Sequence, residues 1–186
     1  MSMVGKYVRL TPAELNRAVL HPDWAREFVE ERMAAEPGDG TPAPGSRLHS
    51  TGKMWHTLER LLRLRGVEVN VVHGEEEIPG AEDWGYGAPR MIRPERVRDA
   101  AGAMAAITPE GLVERVTPAE LADAGTYPYA GTYPYAGTYP YAGTYPYAGG
   151  SDPGQRLDDV AVAYQDLAAF FRTAARLRQG LLVWIG

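Results

Sequence analysis

The chain has 186 residues, 19 basic against 24 acidic side chains and a net charge of −5, a length that suits one well-buried core and is short for two. The acidic balance excludes a general nucleic-acid binder, which needs a basic face to neutralise phosphate, and disfavours an anionic membrane surface for the same reason. With no cysteine there is no disulfide, thiolate nucleophile or cysteine-ligated metal, while MSMVGKYVRLTPAE lacks the apolar run of a secretion signal and LLVWI is too short to span a bilayer, so the expected location is the cytoplasm.

Met3 to Leu10 alternates and reads as a strand, ended by Thr11-Pro12-Ala13-Glu14. That tetrapeptide is a helix start: a capping Thr, Pro at the first helical position and a Glu that reaches back to the cap amide. The same four residues recur at Thr117 to Glu120, and Thr108-Pro109 opens in the same way. A second early helix follows His21-Pro22-Asp23 and carries Trp24, Ala25, Phe28 and Val29 on one face, until EPGDGTPAPGS breaks it as a loop. From about Lys53 to Arg65, Met54, Trp55, Leu58, Leu61 and Leu62 form one apolar helical stripe. VEVNVV, Val67 to Val72, alternates at period two and predicts a strand with Val67, Val69 and Val71 inside.

The run from His73 to Arg90 reads as a loop that closes in a short strand near Met91-Ile92. Helices are predicted over Pro94 to Ile107, Thr108 to Arg115, Thr117 to Asp123 and about Gln155 to Arg178, the last ended by Gly180. LLVWI suits a strand covered on both faces. Trp55, Leu58, Val69, Phe171 and Trp184 are the expected core markers.

Residues 124–147 write Ala-Gly-Thr-Tyr-Pro-Tyr four times without a substitution. As polyproline II the array would reach about 74 Å at ~3.1 Å per residue and could act as a multivalent docking arm. Against that, each Ala-Gly invites a bend, and perfect identity of the copies points to a recent tandem duplication. Growing a loop from one copy to four costs only about 1.2 kcal/mol of closure entropy, so the stretch 124–151 reads as a repeat-expanded surface loop within a single domain, 1–186. Deleting Ala130 to Tyr147 is accordingly expected to leave the fold intact.

Four segments carry a resemblance: VGKYVRLTPAEL, GKMWHTLERLL (Gly52 to Leu62), GYGAPRMIRPERV (Gly85 to Val97) and FFRTAARLRQGLLVWIG. Together they resemble the YfbM-like family, domain of unknown function 1877. The resemblance implies a compact bacterial α+β domain, a small mixed β-sheet wrapped by several helices, and carries over no activity.

Chemistry-bearing candidates are few. His56 falls on the side of its helix away from the apolar stripe, beside Glu59, Arg60 and Arg63. His56 and Glu59 could form a proton-transfer pair in an anion-binding cleft, against the alternative of a solvated charged face. His73 with Glu75, Glu76 and Glu77 offers groups for a hard metal, but a solvated acidic turn explains them and no ligand spacing is present, so no metal or cofactor is expected. Tyr86 between Gly85 and Gly87, followed by Arg90, Arg93, Arg96 and Arg98, could gather amides and guanidiniums on an anion. The competing reading pairs those arginines with neighbouring acids. Phosphate-loop, dinucleotide and nucleophile-elbow motifs are absent, and the four serines sit in termini or loops.

Two functional expectations follow. The preferred one is a partner-binding or regulatory module without catalysis, its partner another protein. The alternative is a small enzyme or ligand binder acting on an anionic small molecule through His56, Glu59 and Arg90, with Tyr86 and Arg93 as further ligand contacts.

Overall fold

The computed structural model describes residues 3–36, 45–126 and 153–186, and side chains in the last stretch from residue 157. The remainder of the repeat array, from Tyr127 onward, and the loop segment 37–44 lie outside the described residues.

Local chemistry starts the helices where expected. Strand β1 (Gly5–Leu10) leads into α1 (Pro12–Leu20), where the Glu14 amide donates to Thr11 Oγ1 and the Thr11 amide donates to the Glu14 carboxylate. Helix α2 (Pro22–Ala35) starts after His21, and β2 (Leu48–Gly52) precedes α3 (Trp55–Leu64). The two-residue β3 (Glu76–Glu77) and β4 (Arg90–Ile92) are followed by α4 (Pro94–Ala105) and α5 (Pro109–Val113), the latter capped by Thr108. Helix α6 (Pro118–Asp123) repeats the full reciprocal cap with Thr117 and Glu120. The long α7 (Pro153–Arg176) delivers β5 (Gly180–Ile185). Each threonine cap contributes about 1 kcal/mol by satisfying an otherwise orphaned amide.

The strands form one five-stranded sheet in the order β2-β1-β5-β4-β3. Every ladder is antiparallel, where a mixed sheet was expected. The α+β class stands, and the reason for the difference is topological: β5 is inserted last, between β1 and β4, and runs opposite to both. Its register with β1 is complete, from Gly5 opposite Ile185 to Leu10 opposite Gly180.

Sheet alternation sorts side chains into two cores. Tyr7, Leu181, Val183 and Ile185 face α3, α4 and α7. Val8, Leu10, Leu182 and Trp184 face α1 and α2 on the opposite side. The apolar run of β5 is therefore buried on both faces, as its composition implied. Gly5 permits the close approach of α3 to β1, because a Cβ there would meet Thr51 Oγ1 at 2.4 Å and Trp55 Cβ at 2.9 Å. Tyr164 bolts α7 to the end of α4 by donating its hydroxyl to the carbonyls of Met104 (2.8 Å) and Ile107 (3.1 Å). The five core markers named from the sequence are all buried.

One predicted strand is not a strand. Residues 67–72 bury Val67, Val69, Val71 and Val72 but have no ladder. Their backbone bonds locally instead: Val67 N–H to Leu62 O, Val71 N–H to Val69 O and Gly74 N–H to Asn70 O. Alternation there reports side-chain burial, and the polar backbone is satisfied by turns. Strands β2 and β3, by contrast, were not read from the sequence at all.

Candidate functional site

The outer face of α3 is fixed by its first residue. Trp55 is buried and donates its indole N–H to Met3 O at 3.2 Å. His56 stacks on that indole, with ring centroids 5.1 Å apart and planes 20° from parallel, and His73 meets it edge-on at 5.6 Å. One helical turn further on, Glu59 receives His73 Nε2 at 3.1 Å and Arg63 at 2.8 Å, on different carboxylate oxygens. With the carboxylate ionised, Nε2 carries the proton of the histidine bond.

The loop after α3 presents His73. Asn70 Oδ1 accepts the His73 amide at 3.0 Å, and the valines at 67, 69, 71 and 72 anchor the loop in the core. Gly74 then turns in the left-handed region, φ 77°, where a Cβ would lie 2.8 Å from Arg90 Cβ. Only glycine combines that backbone with that approach.

Electrostatics keep Glu59 charged. Burial pushes its carboxyl up, but the His73 hydrogen bond and the charges of His73, Arg63 and His56 together outweigh it, so the pKa is lowered. The His56 imidazole is also lowered, first by burial, with Arg60 and His73 adding to the effect and Glu59 opposing it.

Three hollows border this helix face. The first, about 260 Å³, lies between Glu59 and the 66–72 loop. The second, about 310 Å³, is lined by His56, Glu59, Arg60, Arg63, Leu64 and Thr126. The third, about 470 Å³, shares Arg60, Leu64 and Ala124 with the second and continues to Arg115, Val116 and Leu121. The second and third thus make one open furrow along α3 and α6. Thr126 is buried at its edge, and its Oγ1 has no hydrogen-bond partner among the described residues. Leu64 is 61% exposed, and Arg60, one turn before it, has no ion-pair partner among the described residues.

The structure brings His56 and Glu59 to one hollow, with Arg60 and Arg63. Arg90 is not among the residues that line it. Its guanidinium pairs with Glu77 at 2.8 Å and donates to the carbonyls of Glu75 and Gly74. Arg93 holds Glu76 through two bonds of 2.7 and 2.8 Å, and Arg96 holds Glu75 through two of 2.9 and 2.8 Å. The acidic triplet is therefore zipped antiparallel onto arginines spaced three apart. Tyr86 is placed elsewhere, its amide on Ile185 O at 2.9 Å at the end of β5. His73, read beside those glutamates, belongs to Glu59 instead, and no signal in the sequence links two residues fourteen apart in different elements. Among the described residues no group of three or more His, Cys, Asp or Glu side chains is placed to hold a metal ion, and no helix is long and apolar enough to cross a membrane.

An antiparallel sheet between two helical layers, with an open furrow beside α3, defines a single-domain α+β protein. The chain belongs to the family described as Domain of unknown function (DUF1877), whose profile matches residues 1–184. Among solved structures it is similar to YfbM from Escherichia coli, a protein of unknown function. The TM-score is 0.61 at 14% identity, with 98% of this chain and 99% of that chain covered. At that identity the likeness shows the fold. No curated protein matches the chain.

Proposed function

We propose that this domain is a partner-binding module without catalysis, and that the furrow beside α3 is its docking surface. One observation carries the reading: Arg60 and Leu64, four residues apart on one helix face, are shared by two adjoining hollows and project a cation and an exposed aliphatic group into the same furrow. An open trough of this kind suits a segment lying across the surface better than a small molecule, which is normally held with most of its area buried.

The enzyme reading has less support. A general base has to be free to take a proton, and both Glu59 oxygens are occupied while its pKa is lowered. Arg90, the third member of that reading, is engaged by Glu77 and two carbonyls.

A photo-crosslinking side chain placed at Leu64 in the living host tests the proposal, with Leu20, exposed on α1, as control position. The expected result is a discrete crosslinked species from position 64 that position 20 does not give. Identical patterns from both positions would remove the furrow as a docking surface.

A further inference from the structure

We propose that β2 is an acid-released edge strand: protonation of His49 frees Leu48–Gly52 from β1 while the rest of the sheet stays folded.

Position makes β2 the strand that can leave. It stands at the end of the order β2-β1-β5-β4-β3 and is laddered to β1 alone. That ladder runs from Val8 opposite Leu48 to Gly5 opposite Gly52, and its register slips between Gly5 and Lys6. On its other side β1 pairs with β5 over its whole length, Gly5 to Leu10, without a slip.

His49 is the weak point of β2. Its ring is stacked on Phe170 of α7, the same ring that carries the Arg9 guanidinium at 5.4 Å, and Tyr7 leans against it. A neutral imidazole can leave Nε2 without a hydrogen. Protonation puts an N–H on Nε2, which is buried and has no partner among the described residues, and brings a second cation to a ring that already holds one. A buried charged donor without an acceptor costs far more than the neutral ring it replaces.

The groups around the ring offer no relief. From β1 come Tyr7, whose hydroxyl burial pushes up and keeps neutral, and the cation Arg9. Arg176 of α7 adds to the positive charge felt by Arg9, and Arg47, two residues before His49, is paired with Glu14. Glu59 of α3 acts on Tyr7 but is held by His73 and Arg63. Burial alone lowers the His49 pKa, to about 4, with no carboxylate among the described residues opposing it.

Two clamps bound the opening. Arg47 binds both oxygens of Glu14, and that carboxyl, lowered to about 2 chiefly by the same bonds, stays ionised at pH 5. Trp55 holds the start of α3 to Met3 O. The segment that leaves lies between them, and its departure bares the outer edge of β1, a row of backbone groups open to pairing.

Native-state amide exchange, followed by NMR on the full chain at pH 7, 6 and 5 with and without low urea, is the test. Corrected for intrinsic rates, β2 amides are expected to open more often than β5 amides and with little urea dependence. Their opening is expected to be about twentyfold more frequent at pH 5 than at pH 7. In His49→Phe, which keeps the stack and cannot titrate, the acid increase is absent. One opening constant and one urea slope shared by β2 and β5 at every pH would mean that β2 leaves only with the whole fold, and would overturn the inference. So would β2 opening that ignores pH in the wild type, or an equal acid increase in His49→Phe. Where that variant does not fold, the wild-type pH series decides alone.

Discussion

Acid should destabilise this fold before its carboxylates titrate, and the residue responsible is His49. It sits on β2, stacked on Phe170 at 5.0 Å and tilted against Tyr7 at 5.8 Å. Its Nε2 is sealed and has no partner among the described residues. An imidazolium needs an acceptor at both nitrogens, so burial pushes the His49 pKa down to about 4 from 6.5. The unfolded chain takes up this proton as pH falls through 6.5, while the native chain refuses it until pH 4. Stability is therefore complete above pH 6.5 and declines as pH falls towards 4. Integrating the two titrations, the loss between pH 7 and pH 5 is about 2 kcal/mol. His56, also lowered by burial, adds in the same direction. Glu14, lowered to about 2 chiefly by its Arg47 hydrogen bonds, loses its contribution only below its unfolded value of 4.5. Urea melts at pH 7 and pH 5 of the wild type and of His49→Phe, which keeps the stack and cannot titrate, isolate the effect. The variant should lose much less than the wild type over that interval. Equal losses would refute the assignment.

Trp184 packs its ring edge-on against Trp84 at 5.4 Å in the core between the sheet and α1/α2. Trp184→Ala should cost roughly 3–5 kcal/mol in a denaturant melt, and a loss under about 1 kcal/mol would make β5 peripheral. Tyr164→Phe removes the hydroxyl from Ile107 O and from Met104 O, the latter keeping the Ile107 amide, and should cost about 1–2 kcal/mol by the same measurement, with no loss if water replaces the hydroxyl freely. A double-mutant cycle on Arg93 and Glu76, both near half-exposed, should give a coupling below about 1 kcal/mol that shrinks with salt, despite two short bonds. A larger, salt-insensitive coupling would mean that the pair is shielded from solvent.

What could be read from the sequence follows the range of the interactions involved. Thr11 to Glu14 and Thr117 to Glu120 close their caps within four residues, so the chemistry and its signal are both local. The β5 run was legible because burial on both faces removes alternation, which composition alone records. In VEVNVV the alternation correctly placed Val67, Val69 and Val71 inside, but whether such a stretch joins a sheet depends on which backbone lies beside it. Here Leu62 O and the loop's own carbonyls supplied the partners. The glutamate triplet and Arg90, Arg93 and Arg96 were each visible as patterns. Their pairing was not, since it needs β3 folded antiparallel on β4 to reverse one set against the other.

That pairing is also what ties the two ends of the α3 site together. Glu75 is held by Arg96, and its amide is bonded to Met91 O. The preceding Gly74 has room for no side chain against Arg90, so the turn carrying His73 is fixed to the sheet. His73 in turn fixes one oxygen of Glu59, and Arg63 takes the other. The consequence reaches the furrow, where Glu59 is held on both oxygens. Cutting the clasp at Arg96 should loosen His73 before it loosens α3 itself, because Trp55 anchors the helix independently through Met3 O.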